Sequence, residues 1–160
     1  MNAFFTVKNR YVINDTLDNV NADLAGILNR RWYDFSENIT GKLYKDGRFT
    51  LSPKWTLGHL RVLGMSQDMT FLTGSLKQEG GAIIIETVTR PNYALVAAFY
   101  FPLLLVLLKA FGLEIFLKGT LTQLLLAIPP VCFVLAMIMI FSVFRLRNRF
   151  ERLMQLERVG

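Results

Sequence analysis

The sequence predicts an α+β membrane protein. In this architecture one helix packs on a mostly antiparallel sheet of about six strands, and a two-helix transmembrane hairpin and a C-terminal amphipathic helix follow. Three observations predict it: two long apolar stretches in the second half of the chain, short strand-like segments separated by turn residues in the first half, and one amphipathic helical pattern near the start. Because an amphipathic helix must bury its apolar stripe, a sheet with one apolar face is its expected partner.

We divide the 160 residues into three parts. Residues 1–90 form a cytosolic α+β domain, residues 91–144 form the hairpin, and residues 145–160 form a basic amphipathic tail. A domain of about 90 residues can fold alone, although its core is modest. Residues 1–15 lack a basic segment followed by a long apolar one, so we expect no cleavable signal peptide.

The first element is a strand over residues 4–13, which are rich in β-branched and aromatic side chains. Residues 14–16 are all good N-cap types and predict the start of a helix. Apolar residues then recur at helical spacing along one face. They are Leu17, Val20, Leu24, Ile27 and Leu28.

The remaining elements of this domain are short strands. Residues 39–44 and 48–51 flank Lys45, Asp46 and Gly47, a hairpin signal in which Gly47 supplies the left-handed conformation. The pattern continues over residues 57–65, 70–77 and 82–90.

The two predicted spans cover residues 93–111 and 121–144. At 1.5 Å per helical residue they measure about 28 Å and 36 Å, enough to cross a bilayer. Arg90 and Pro91 separate the last strand from the first span without a flexible linker, so the domain should lie close to the headgroups. The prolines at 102, 129 and 130 should kink or locally unwind the spans. Such kinks either line a site or a path, or are simply tolerated in membrane helices because neighbours satisfy the freed carbonyls, and we favour the second alternative.

Basic residues favour an orientation with both termini in the cytoplasm. Seven lie on the outer flanks of the two spans and only Lys109 and Lys118 lie on or beside the connection between them. The outer set is Lys77, Arg90, Arg145, Arg147, Arg149, Arg152 and Arg158.

The arginines beside the spans are the candidate binding residues. We predict that Arg90, Arg145, Arg147 and Arg149 form a collar for anionic lipid headgroups. A nucleic-acid partner is not expected, since arginines at a span boundary are already explained by the bilayer.

The tail should continue the second span as a cytosolic amphipathic helix, with an apolar stripe at Leu146, Phe150 and Leu153. This stripe packs on the chain's own sheet, on a second copy or on a partner protein. We take these three residues as candidates for partner binding or self-association.

No pattern indicates catalysis, a metal or a cofactor. His59 is the only histidine and Cys132 the only cysteine, and the acidic residues of the first domain are scattered through turns and strand ends. We therefore predict no catalytic, metal-binding or cofactor-binding residues.

The order of strand, helix and β-meander running straight into a two-span hairpin, with Phe49, Gly58, Gly74, Thr87, Arg90 and Pro91, resembles a group of small uncharacterised bacterial two-span membrane proteins. The resemblance implies a bacterial inner-membrane location and no activity.

These observations favour a membrane-anchored interaction or accessory protein with another membrane protein or a second copy as partner. A small homo-oligomeric transporter or channel is the alternative, although neither span carries a deeply placed charge. A membrane-bound enzyme with an unrecognised site is the third.

Overall fold

A computed structural model of the chain describes residues 5–28, 39–53, 60–62, 65–112 and 120–156. In chain order, the helices and strands of this part are β1 (Val7–Ile13), α1 (Leu17–Leu28), β2 (Ile39–Leu43), β3 (Arg48–Pro53), β4 (Leu60–Val62), β5 (Met65–Gln67), β6 (Thr70–Glu79), β7 (Ala82–Pro91), α2 (Tyr93–Ala110) and α3 (Leu121–Leu153).

The sheet is antiparallel and five-stranded, in the order β1-β7-β6-β3-β2. This confirms the α+β class. The strand count is corrected, because the segment predicted as one strand over residues 57–65 contributes β4, which pairs with β5 in a separate two-stranded hairpin. Residues 57–59 and 63–64 of that prediction lie outside the described part of the chain.

One face of the sheet forms the core. Tyr11 lies opposite Ile85, and Phe49 lies opposite Gly74, so their side chains project from the same face of the pleated sheet. A Cβ at Gly74 would overlap the Phe49 ring. Position 74 therefore requires glycine, because the Phe49 ring occupies the space that a side chain would need.

Helix α1 packs on this face as its sequence pattern predicts. Its buried residues are Val20, Leu24 and Ile27, three of the five stripe residues. Thr16 caps the helix, because its Oγ1 accepts a hydrogen bond from the backbone N–H of Asn19. The predicted Gly47 turn is also confirmed, since Gly47 has a φ of 75°.

Asn92 joins the sheet to α2. Its Oδ1 accepts from the backbone N–H of Ala94 at 2.9 Å, which caps the helix, while its Nδ2 donates to the carbonyl of Asp68 at 2.9 Å. The Asn92 backbone N–H also donates to the carbonyl of Met69. One buried side chain therefore fixes the direction in which α2 leaves the sheet.

Helices α2 and α3 are both long and apolar enough to cross a membrane, with 18 and 33 residues. They pack against each other, and the Cys132 thiol lies 3.7 Å from the carbonyl of Phe99. Both helices continue without interruption through Pro102, Pro129 and Pro130. We call α2 and residues 121–144 of α3 the apolar hairpin.

Helix α3 does not end with the apolar hairpin but continues to Leu153. At the boundary, Thr70 Oγ1 at the start of β6 donates to Ser142 Oγ at 2.7 Å, and Ser142 in turn donates to the carbonyl of Met139. The continuity expected between the second span and the tail is confirmed. The last three turns of α3 then lie against the core face of the sheet.

Replacing Gly74 with alanine should destabilise the protein by about 1–3 kcal/mol, because the new methyl group overpacks the Phe49 ring. The matched control is Gly26→Ala in α1, where nothing lies within 4 Å of the added Cβ. That control should be neutral or stabilising by up to about 1 kcal/mol, since alanine favours helix. Thermal unfolding of both variants measures the difference, and equal stability would show that the Gly74 site can relax.

Candidate functional site

The candidate site is the part of α3 that leaves the apolar hairpin, residues 145–153, together with Phe141 and Phe144 just before it. It contains three of the four predicted headgroup residues and all three residues of the predicted partner stripe. Because an α-helix repeats every 3.6 residues, these side chains separate onto two faces with different surroundings. We call the face toward the sheet the inner face and the opposite one the outer face.

The inner face completes the hydrophobic core. Leu146 and Phe150 are fully buried among core residues of the sheet and α1, and Leu153 packs against the same cluster. The Phe150 ring lies 5.6 Å from the Phe49 ring and 6.4 Å from the Tyr11 ring. The stripe therefore takes the first of its predicted alternatives, the chain's own sheet.

This placement corrects the assignment of Leu146, Phe150 and Leu153 to partner binding or self-association. The physical reason is the width of the sheet. Five strands about 4.8 Å apart form a surface roughly 20–25 Å wide, whereas one helix is about 10 Å across. Helix α1 alone cannot cover the core face, and the end of α3 covers the remainder.

A polar group of three side chains crosses the inner face. The Tyr11 hydroxyl donates to Glu151 Oε1 at 2.7 Å, and Arg147 Nε lies 3.7 Å from the same oxygen. The Arg147 guanidinium also lies 4.5 Å from the centre of the Phe144 ring. This group ties β1 to α3 by a charge-assisted hydrogen bond inside the domain.

Burial raises the pKa of the Tyr11 hydroxyl well above its ordinary value, and its hydrogen bond to the Glu151 carboxylate raises the pKa further. The neutral phenol is therefore the form that the fold stabilises.

Arg147 does not belong to a headgroup collar. It is buried and paired with Glu151, one helical turn further along α3, and its Nη2 donates to Asn148 Oδ1 at 3.0 Å. The prediction for Arg147 is wrong because its position on α3 places it beside Leu146 and Phe150 on the sheet side.

Arg90 belongs to β7 and not to α3. Its guanidinium stacks on the Tyr93 ring at 4.2 Å from the ring centre, and its Nη1 is buried without a hydrogen-bond partner. By the alternation of β7, Arg90 projects from the sheet face opposite to Thr89 and the core. The four predicted collar residues thus do not form one site.

The outer face of α3 contains the remaining arginines in a shallow groove of about 550 Å³. Its lining residues are Phe141, Phe144, Arg145, Asn148, Arg149 and Arg152. Arg152 was missing from the predicted collar, although its spacing of three and seven residues from Arg149 and Arg145 places all three on one helical face. The spacing along the sequence was therefore enough to place Arg152 beside Arg145 and Arg149.

Among the residues that the structure describes, no three His, Cys, Asp or Glu side chains gather closely enough to hold a metal ion. His59 lies outside the described residues. Comparison of the chain with known protein families, with curated proteins and with solved structures found no match.

Phe150→Ala should destabilise the protein by about 3–5 kcal/mol, the usual effect of removing a buried ring. Phe133→Ala in the same helix is the matched control, because Phe133 is 67% exposed and its ring makes no part of the core. Thermal unfolding in detergent measures the stability of both variants relative to the parent. Equal effects would mean that the inner face of α3 does not support the sheet.

Tyr11→Phe should reduce the alkaline sensitivity of the fold. Because the pKa is raised from an ordinary 10.0, Tyr11 contributes stability that is fully present below about pH 10 and is lost as the pH rises beyond it. The stability of the parent should therefore fall more steeply than that of the variant between pH 9 and 11. The unfolding midpoints of parent and variant are measured across that range, and tyrosinate absorbance is recorded at the same time. If the midpoints of the two proteins fall equally with pH, the prediction is wrong.

Proposed function

We propose that this chain is a membrane-anchored accessory protein that holds a small α+β domain at a fixed position on the cytosolic face of a bacterial inner membrane, where the domain contacts another membrane protein. The observation that carries the proposal is the continuity of α3. One helix belongs both to the apolar hairpin and to the core of the domain, so the domain has no tether on which to move.

The exposure of the apolar hairpin supports the membrane location. Only 6% of the most apolar window of α2 and 11% of that of α3 are buried, whereas a core helix of a soluble protein would be mostly covered. Large apolar side chains such as Phe101, Leu126 and Phe133 point outward. Lipid is the environment that accepts such a surface around a whole helix.

The arrangement of the two helices supports cytoplasmic termini. Helix α2 begins at the sheet through Asn92, and α3 returns to the sheet through Ser142. The domain and the end of α3 therefore lie on the same side of the hairpin. The excess of basic residues on that side favours the cytoplasm.

The fixed attachment supports an accessory role. Two connections, one from β7 and one through α3, hold the sheet directly against the end of the hairpin. The sheet face away from the helices presents exposed charged pairs, Lys77 with Glu86 and Arg10 with Glu79. A surface held at the bilayer meets membrane-bound partners at a much higher effective concentration than a free domain would.

Reporter fusions that function only in the cytosol should be active at both residue 1 and residue 160. A fusion inserted after Gly112, in the connection between the helices, is the control and should report the opposite compartment. A cytosolic signal at Gly112, or a silent fusion at either terminus, would contradict the two-span orientation.

Native mass spectrometry of the protein solubilised from its own membrane tests the accessory role. We expect a foreign membrane protein bound in stoichiometric amount. A chain that is recovered alone overturns the proposal, and a chain recovered only as a homo-oligomer overturns it in favour of a self-assembled transporter or channel.

A further inference from the structure

We infer that the start of β1 is a third attachment of the domain to the membrane, in which the Phe5 ring inserts among the acyl chains of the cytosolic leaflet beside Phe99 of α2. The two attachments described above run from β7 into α2 and from β6 to α3. The inference rests on the proposed membrane location. It adds a lipid contact that this location does not require, because β1 is an edge strand that precedes both helices of the hairpin.

Phe5 contacts the apolar hairpin directly. Its ring centre lies 5.4 Å from that of Phe99, and the two ring planes make an angle of 80°. This is an edge-to-face pair, the arrangement that aromatic rings prefer. Phe99 makes a second edge-to-face contact with Tyr100 at 5.1 Å. Aromatic contacts therefore hold the start of β1 against α2.

Phe99 lies inside the hairpin rather than at its end. Helix α2 has 18 residues, so its length of about 27 Å is close to the hydrocarbon thickness of a bilayer. When α2 spans this layer, Tyr93 lies at its boundary and the Cα of Phe99 lies about 9 Å inside. The Arg90 guanidinium stacked on the Tyr93 ring fits this boundary, since aromatic and basic side chains anchor helices at the interface.

Helix α3 gives a second estimate of the depth of Phe99. The Cys132 thiol lies 3.7 Å from the Phe99 carbonyl, so the two residues lie at the same level. Cys132 precedes Ser142 by about 15 Å along the helix axis. Ser142 bonds Thr70 and marks the level of the sheet. Both helices therefore place Phe99 well inside the hydrocarbon.

The Phe5 ring lies closer to the membrane surface than Phe99. Pairing of β1 with β7 begins at Val7, opposite Thr89, and Phe5 precedes that pair at the end of the sheet that faces the hairpin. Side chains of a helix lean toward its N-terminus, which for α2 is the sheet, so the Phe99 ring leans toward Phe5. The two rings meet in the outer part of the hydrocarbon. The backbone of Phe5 stays at the level of the sheet, where its polar groups are not forced into lipid.

The surroundings of the ring pair match acyl chains. Phe5 and Phe99 are both only half-buried, and Tyr100 and Phe101 beside them are 45% and 60% exposed. Helix α2 contains no charged side chain before Lys109. A half-covered ring at this depth, on an apolar helix, completes its burial against lipid.

The third attachment changes how the domain is held. The three attachments lie on β1, β7 and β6, which are neighbouring strands in the sheet. That side of the sheet therefore faces the bilayer along its width, and the domain cannot rotate about β7 alone.

The test measures membrane depth at position 5 by spin labelling. Cys132 is the only cysteine, so Cys132→Ser provides a background in which a nitroxide marks a single position. The full chain is reconstituted in vesicles of phosphatidylcholine and phosphatidylglycerol. The label is placed by Phe5→Cys, by Lys8→Cys at an exposed position further along β1, or by Phe133→Cys in the hairpin, where the native ring is 67% exposed. Oxygen is enriched in lipid and a nickel chelate stays in water, so their relative collision rates with the label report its depth.

We expect the label at position 5 to favour collisions with oxygen, as the label at position 133 does, and the label at position 8 to favour the nickel chelate. Adding Phe99→Ala should raise nickel collisions at position 5 severalfold, because the ring that holds this segment is lost. Phe101→Ala is the matched control in the same helix and should leave the collision rates at position 5 unchanged.

A second measurement keeps the native ring in place. The unmodified parent is irradiated in vesicles that contain a phosphatidylcholine with a diazirine near the carbonyl end of one acyl chain. Peptide mass spectrometry should find this lipid attached to Phe5 and not to Lys8.

Three results overturn the inference: a water-like collision ratio at position 5, an unmodified Phe5 after photolabelling, or spin–spin broadening at position 5 that disappears on dilution with unlabelled protein. The last result would show that a second copy covers the ring. A lipid-like ratio at position 133 leaves the proposed function intact in each case. A water-like ratio at position 133 would instead remove the membrane location, and with it the proposed function.

Discussion

The structure depends on one constraint, which is that a five-stranded sheet is too wide for α1 to cover. Helix α3 supplies the missing cover with Leu146 and Phe150. Because the same helix forms half of the apolar hairpin, the core of the domain and the hairpin share a rigid element. Residues 1–90 therefore do not contain their whole core, and the boundary that the sequence places after Arg90 separates the sheet from part of that core.

The shared helix also explains why neighbouring arginines have different roles. In residues 145–152 the helical repeat alternates side chains between the sheet and the surroundings. Arg147 falls on the sheet side, where Glu151 and Tyr11 surround it, and Arg145 falls on the other. A buried charge must be paired, and this pairing removes one arginine from the surface while fixing the register between α3 and β1.

The boundary between the sheet and the hairpin is built from polar side chains rather than from apolar packing. Asn92 caps α2 and bonds the carbonyl of Asp68, while Thr70 bonds Ser142. These hydrogen bonds are directional, so they set angles as well as distances. Together with the shared helix they hold the sheet at one orientation to the hairpin.

The sequence by itself determined the elements whose signals are local. The periodicity of α1, the left-handed Gly47 turn, the alternation of the sheet strands and the length of the two apolar helices are all readable along the chain. Only the tertiary structure decided what covers each face, because coverage depends on the width of the sheet and the angle at which α3 returns to it. That is why the stripe of Leu146 and Phe150 became core, Arg147 became part of an internal ion pair, and Arg145, Arg149 and Arg152 came to line a groove on the opposite face of α3.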